Sequence, residues 1–408
     1  MALGLALAPA PAQTIPAAEY RERRAELRKS LDGALVLMGA ADPSDLHDAF
    51  YQKPDFEYMT GWREPGAALL IGPKEEILFL PQRVSQRETY NGRTTGPDDP
   101  DAAQKTGFDK VLPRAELEAQ FVRAMESAEA VYALAGDKQA RDLARLAPLH
   151  ERRDAADPIA RLRLLKSAAE IALIRKATDA TIAAHRAAWK RMHPGLFEYQ
   201  IAATMLETYL ELGCERSAYA PIVASGPNAV VLHYSANQRR IQSGELVLMD
   251  VGGEYAGYAA DVTRTVPANG KFTPRQREIY DIVLAAQKAA IAAVKPGMTL
   301  LGDSSTSLRK IALDYIDTHG KDLHGASLGK YFVHGLGHFV GLEVHDPGSF
   351  DTRLEPGMVI TIEPGIYLPE ENLGIRIEDT LVVTANGAEV LSIALPKGPE
   401  EIEKLVGK

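Results

Sequence analysis

With 408 residues, 46% of them hydrophobic and 25% charged, the chain has an ordinary globular composition and is long enough for two domains, each with its own core. A net charge of −9 without any basic run argues against nucleic acid as a partner, and no stretch reaches the roughly 20 apolar residues that a membrane-spanning helix needs. The single cysteine, Cys214, excludes an intrachain disulfide and any CxxC metal site, and reads as a packing residue rather than a nucleophile.

Residues 1–13 are Ala/Leu/Pro-rich and end like the tail of a secretory signal, but lack a basic n-region. They read either as a truncated leader, which implies a periplasmic or secreted protein, or as a disordered start with the cytoplasm as the expected compartment. The expected division is a start over 1–17, a first domain over 18–157 and a second over 158–408. In the first domain 19–29 is charged and helix-like, with strands expected over 34–39, 67–71 and 76–80 and helices over 115–127 and 138–146. Strands alternating with helical patterns predict an α/β layer. No His, Asp and Glu cluster at ligand-like spacing occurs here, so this domain reads as a scaffold or as a limit on access. Residues 91–96, Asn-Gly-Arg-Thr-Thr-Gly, read as a surface loop.

The linker is expected over 153–163, around Pro158. Ser167 and Glu170 then form a capping box opening a helix with the apolar stripe Ile171, Ile174, Ala177 and Ile182. Residues 197–212 predict a second helix stopped by Gly213. His233 ends an apolar run and is balanced between core packing and catalysis. Thr273-Pro274 marks the N-terminus of a helix running to 294, and 304–318 predicts another. The order helix, helix, hairpin thus occurs twice, which suggests a duplicated α+β unit.

Each hairpin carries two acids. In 245–265, ELVLMDVGGEYAGYAADVTRT, β-formers flank a Gly-containing turn. A turn centred on Tyr255-Ala256 would set Asp250 opposite Asp261, with Cβ atoms about 5 Å apart. In 358–380, MVITIEPGIYLPEENLGIRIEDT, a turn centred between Glu370 and Glu371 sets Glu363 opposite Glu378. Carboxylates so close repel unless a proton or cation lies between them, and in apolar strand sequence an unpaired one is expensive. The simplest resolution is a divalent metal. Between the helix pair and the second hairpin lie His334, His338 and His345, three of the ten histidines, among glycines that let the backbone approach a ligand. Imidazole serves both as metal ligand and as acid or base.

Gly325-Ala326-Ser327-Leu328-Gly329 matches a nucleophile elbow, but the polar stretch before it is no buried strand. There is neither a Walker A loop nor a GxGxxG turn closing a βαβ unit. The charged runs 19–29 and 399–408 read as solvated faces.

The second half resembles the pita-bread metallopeptidases (M24), through MDVGGEYAGYAADVTRT, HGLGHFVGLEVHD, LEPGMVITIEPGIY and GIRIEDT. The first half is similar to aminopeptidase P in particular, through DFEYMTGWREPGAALLI, LFLP and NGRTTGP, with Thr94 where many members carry a second arginine. This resemblance implies an α/β N-terminal domain followed by an α+β pita-bread catalytic domain with pseudo-twofold duplicated hairpins. It implies a dinuclear metallo-exopeptidase that removes the first residue from peptides with proline at position 2. Asp250, Asp261, His338, Glu363 and Glu378 would hold two divalent ions per subunit, with Asp261 and Glu378 bridging. His233, His334 and His345 would line the active site, with Arg376 and Tyr258 beside it. An oxygen-rich donor set favours Mn2+ over Zn2+ or Co2+. A bridging hydroxide would attack the scissile carbonyl, Glu363 would handle its proton, and His334 would wall the proline pocket. The assembly would be a homodimer or homotetramer. The alternatives are a prolidase acting on Xaa-Pro dipeptides and, more remotely, a non-catalytic peptide-binding module.

Overall fold

The computed structural model describes residues 14–42, 49–302 and 304–408; the 1–13 stretch read as a leader or disordered start lies outside them. Residues 15–163 form one compact unit and 164–408 make up the other. The division falls at Arg163/Leu164, six residues beyond the expected 157/158. The expected linker is largely the helix Ala156–Leu164, in which Pro158 sits in the first turn, where its missing N–H costs nothing. Ile159 is buried there, and Arg163 donates to Asp55 Oδ1 at 2.7 Å.

In the first unit a six-stranded mixed sheet runs in the order Val111–Pro113, Glu76–Leu80, Ala68–Ile71, Ala34–Met38, Ala130–Ala133, Glu151–Asp154. The helix Leu117–Met125 packs Leu117, Phe121 and Met125 into the core on this sheet. The charged helix Ala17–Ser30 is not a solvated face throughout, because Arg23, Arg24 and Leu27 are buried. Arg24 lies 3.8 Å from the Phe108 ring centroid and donates to Met59 O and Glu76 Oε1, contacts a planar guanidinium can make without losing its hydrogen bonds. Of the expected 91–96 loop, Thr95 and Gly96 are buried, since the Thr95 N–H and hydroxyl both donate to the Glu64 carboxylate.

The second unit repeats its plan. Helices Ala168–Arg191 and Glu198–Glu211 precede the first acidic hairpin, and Pro274–Ala293 and Leu308–His319 precede the second. Ser167 with Glu170 and Thr273 with Gln276 form reciprocal capping boxes, as the sequence pattern requires. One hydrophobic core draws on both halves, including Trp189, Met249, Ile279, Ile360 and Ile375. The C-terminal helix Pro399–Leu405 adds Ile402 to it, so that run too is only partly solvated. Among the described residues no helix is long and apolar enough to cross a membrane.

The two hairpins differ in how closely their registers follow expectation. In the second, Ile362 pairs with Asp379 and Gly365 with Arg376, so Glu363 and Glu378 are opposite each other in the gap between the two ladders. In the first, Tyr255 pairs with Tyr258, Val251 with Val262 and Asp250 with Thr263. The turn is therefore Ala256-Gly257, not Tyr255-Ala256. A two-residue hairpin turn of the kind that matches strand twist needs positive φ at both positions; Ala256 has 49° and Gly257 has 81°. Asp261 is thus a diagonal neighbour of Asp250 rather than its direct partner. Because side chains alternate with period two, the shift leaves both acids on one face.

Candidate metal centre and active site

Three of the four acids are delivered where regular pairing lapses, while Asp250 lies within the strand Leu246–Val251. Asp261 and Glu378 immediately precede the strands Val262–Pro267 and Asp379–Val383, and Glu363 follows Val359–Ile362. The histidine segment runs along this last strand: Val340 N donates to Val359 O, Thr361 N to His338 O and Glu363 N to Leu336 O. The approach is so close that a Cβ on Gly337 would stand 2.0 Å from Thr361 O, which is why glycine precedes His338.

Asp261, His338 and Glu378 each present a ligand atom, all within 4.8 Å of one another. His338 Nε2 lies 3.3 Å from Asp261 Oδ2 and 3.6 Å from Glu363 Oε1. Its Nδ1 lies 3.1 Å from Phe339 O; protonated there, it leaves the Nε2 lone pair turned toward the carboxylates. Glu378 Oε2 accepts the Thr263 hydroxyl at 2.6 Å, while its buried Oε1 has no hydrogen-bond partner. A buried carboxylate oxygen without a donor is costly, and a cation would satisfy it. The donor set therefore fits a hard divalent ion.

Two hydroxyls cross between the halves. Thr263 Oγ1 reaches Glu378 as described, and Thr380 Oγ1 donates to Asp261 O at 2.6 Å. Asp250 is engaged differently, by Arg376 Nη2 at 2.5 Å. The Tyr219 hydroxyl lies 2.6 Å from Asp250 Oδ1 and 2.5 Å from Asp261 Oδ1, and can donate to only one at a time.

The electrostatics reflect the crowding. Burial, then the charge of Asp250, pushes the Asp261 carboxyl well above its usual range; burial and Asp261 do the same to Glu378. Burial and Glu378 push Glu363 up to about 8. Burial opposes the charge on Asp250 too, but Arg376 and the Tyr219 hydroxyl hold it below the usual range.

An acid whose folded pKa is raised binds its proton more tightly in the native state, so its contribution to stability is lost as pH rises from its ordinary value toward the raised one. For Glu363 that window runs from 4.5 to about 8. The buried His185 and His334, whose folded pKa values are lowered by desolvation, oppose this trend only below their ordinary value of about 6.5. The metal-stripped chain is therefore expected to melt at progressively lower temperature from about pH 6.5 to about 8, and Glu363→Gln to flatten that slope. Thermal melts of the chelated protein across this range check it; an unchanged slope in the variant would remove Glu363 as the source.

The remaining expected residues meet at one cavity of about 820 Å3, lined by His233, His334, His345 and Arg376 together with the acids and His338. His334 is tied into a chain: Arg376 Nη1 donates to the Tyr367 hydroxyl at 2.7 Å, and that hydroxyl lies 2.8 Å from His334 Nε2. Burial, then Arg376, lowers the His334 pKa to about 4, so the ring is neutral and accepts the Tyr367 proton. The His345 ring stands 4.2 Å from that of His338, and desolvation, with His338 adding, lowers its pKa also. Tyr258 is elsewhere. It is buried, its hydroxyl donates to Glu170 Oε1 at 3.0 Å, and it is not among the lining residues. The cavity's tyrosine is Tyr219, which no spacing argument singled out. Cys214 is buried with its thiol pushed up to about 11 by desolvation, as a packing residue should be.

Comparison with known proteins agrees with this geometry. Residues 172–385 match the model of metallopeptidase family M24, and residues 20–132 that of the aminopeptidase P N-terminal domain. The chain is 34% identical to the Xaa-Pro aminopeptidase of Escherichia coli K12 across 95% of its own length and 97% of that protein. Among solved structures it is similar to proline aminopeptidase P II from Yersinia pestis, with TM-score 0.86, 33% identity, and coverage of 96% of this chain and 99% of that one. It is equally similar to E. coli aminopeptidase P solved with the inhibitor Pro-Leu, with TM-score 0.86, 32% identity, and coverage of 96% and 98%. The α/β first unit followed by a pita-bread second unit is common to these proteins. The chain belongs to metallopeptidase family M24.

Proposed function

We propose that the chain is a divalent-metal-dependent aminopeptidase that removes the first residue of peptides carrying proline at position 2. The observation that carries this reading is the convergence of Asp261, His338 and the unpartnered Oε1 of Glu378 inside a cavity that also holds His233, His334 and His345. The full-length similarity to Xaa-Pro aminopeptidases, including the first domain, favours it over a prolidase.

In this reading Asp261, His338, Glu363, Glu378 and Asp250 would hold two divalent ions, and the carboxylate-rich set favours Mn2+. Bound divalent ions would supply Lewis-acid polarisation of the scissile carbonyl and acidify a nucleophilic water. The chain's own groups do the rest. Glu363 takes the proton of the attacking water. His345 and His233 steady the tetrahedral species or feed a proton to the prolyl nitrogen as the C–N bond breaks. The substrate's α-amine binds near Asp250, which confines cleavage to the first residue. His334, held neutral by its surroundings, walls the proline pocket without adding charge. A homodimeric or homotetrameric state and a cytoplasmic location go with the same reading.

The test is a length series, Xaa-Pro, Xaa-Pro-Yaa and a longer Xaa-Pro peptide, given to chelated and Mn2+-restored protein. Metal-dependent release of only the first residue from the longer members is the expected result. Cleavage confined to the dipeptide would make it a prolidase, and no cleavage at all would favour a binding module.

A further inference from the structure

His233 stands in the cavity wall on a segment with almost no regular structure of its own: a 3-10 turn over Gly226–Val230, then an irregular run to the strand Leu246–Val251. One buried carboxylate gathers that segment. Glu198, the first residue of the helix Glu198–Glu211, is 0% exposed. Its Oε1 accepts from Ser225 N at 2.8 Å, Ser225 Oγ at 2.7 Å and Asn228 Nδ2 at 3.1 Å. Its Oε2 accepts from the Tyr234 hydroxyl at 2.7 Å and Arg239 N at 2.9 Å. Burying a carboxylate is costly unless donors surround it, and here the donors come from both sides of His233.

The neighbours of His233 are fixed in opposite directions. Tyr234 is tied to Glu198. Leu232 O accepts from Arg376 Nη2 at 3.4 Å, the same nitrogen that holds Asp250 at 2.5 Å. The exposed imidazole is thus suspended between an anchor on the acid cluster and an anchor on the helix N-terminus. We propose that Glu198, acting through the Tyr234 hydroxyl, is a positioning residue for His233 and sets where that ring meets the peptide in the transition state. This rests on the proposed role of His233 in peptide cleavage.

Tyr234→Phe removes one link of the anchor and leaves every metal-site residue in place. It is expected to lower kcat about five- to tenfold with KM little changed, since a ring displaced by a fraction of an ångström loses a contact made only in the transition state. Metal content stays at the parental level. In the His233→Ala background the same change is expected to cost less than about twofold, because two residues acting through one contact are not additive. With ring-labelled histidine, the His233 signals, assigned by their loss in His233→Ala, are expected to shift and sharpen in Tyr234→Phe as the ring gains freedom. Glu198→Gln sets an amide against five donors and should show a larger loss of the same kind; Tyr234→Phe carries the test if that variant does not fold. An equal loss from Tyr234→Phe in both backgrounds, or unchanged His233 signals, would overturn the positioning role alone. Full activity of His233→Ala would overturn it together with the assignment of His233 to cleavage.

Discussion

Glu378→Gln is expected to lower kcat/KM on an Xaa-Pro-Yaa peptide by about a thousandfold or more, while leaving the chelated protein at least as stable as the parent. The activity loss follows from removing the acid that shares the tightest ligand group with Asp261 and His338. Several kcal/mol of transition-state stabilisation correspond to about three powers of ten in rate. The stability sign follows from the same residue. Its carboxyl is driven well above the usual range by burial and by Asp261, so as an anion it repels its surroundings when no cation is present. An amide keeps an acceptor for the Thr263 hydroxyl and sheds that repulsion. Metal content, turnover with saturating Mn2+, and melting with and without chelator measure all three quantities. Parental metal content and rate in the variant would remove Glu378 from the ligand set.

Arg264→Met should behave in the opposite way, costing about 3–5 kcal/mol of stability whether or not metal is supplied. Arg264 is 0% exposed and donates to Asp379 Oδ1 at 2.7 Å and to Glu378 O at 2.5 Å. It also reaches the carbonyls of Thr263, Leu395 and Pro396. Asp379, likewise 0% exposed, accepts in addition from Lys397, Gln287 and Ser392. Burial alone would raise the Asp379 carboxyl, but Arg264 and Lys397 hold it well below the usual range, so its charge persists. Deleting the guanidinium strands that charge and several carbonyls in a dry interior. Urea unfolding of the chelated protein checks the magnitude; a shift below about 1 kcal/mol would mean that Lys397 alone suffices to hold the anion.

What the sequence revealed and what it hid divide along the range of the interaction. The capping box at Ser167, the helix start at Thr273-Pro274, the stop at Gly213 and the glycines around His338 are local signals, and each is where the pattern put it. The second hairpin was legible because its strands and its Pro/Asn/Gly turn are symmetric about Glu370-Glu371. The first was off by one residue at the turn because Ala256 takes a left-handed conformation that alanine rarely adopts. The period of two kept the acids on their face in spite of that. Tyr219, Tyr367 and Glu198 were not legible. Tyr219 acts on residues 31 and 42 positions away, and Glu198 on a segment 27 to 41 positions away. Arg24, in a run that reads as a solvated face, is likewise buried, because its acceptors Met59 O and Glu76 come from a distant helix and strand.

The crossed threonines bear on how such a molecule can change over evolutionary time. Thr263 follows Asp261 by two residues and Thr380 follows Glu378 by two, and each serves the acid of the other half: Thr263 the Glu378 side chain, Thr380 the Asp261 carbonyl. Neither half holds its own acid unaided. A single half standing alone could complete this arrangement only by pairing with a second copy that lends its hydroxyl across the seam. The halves can therefore vary independently in their outer helices and loops, but not at the two positions where each borrows from the other.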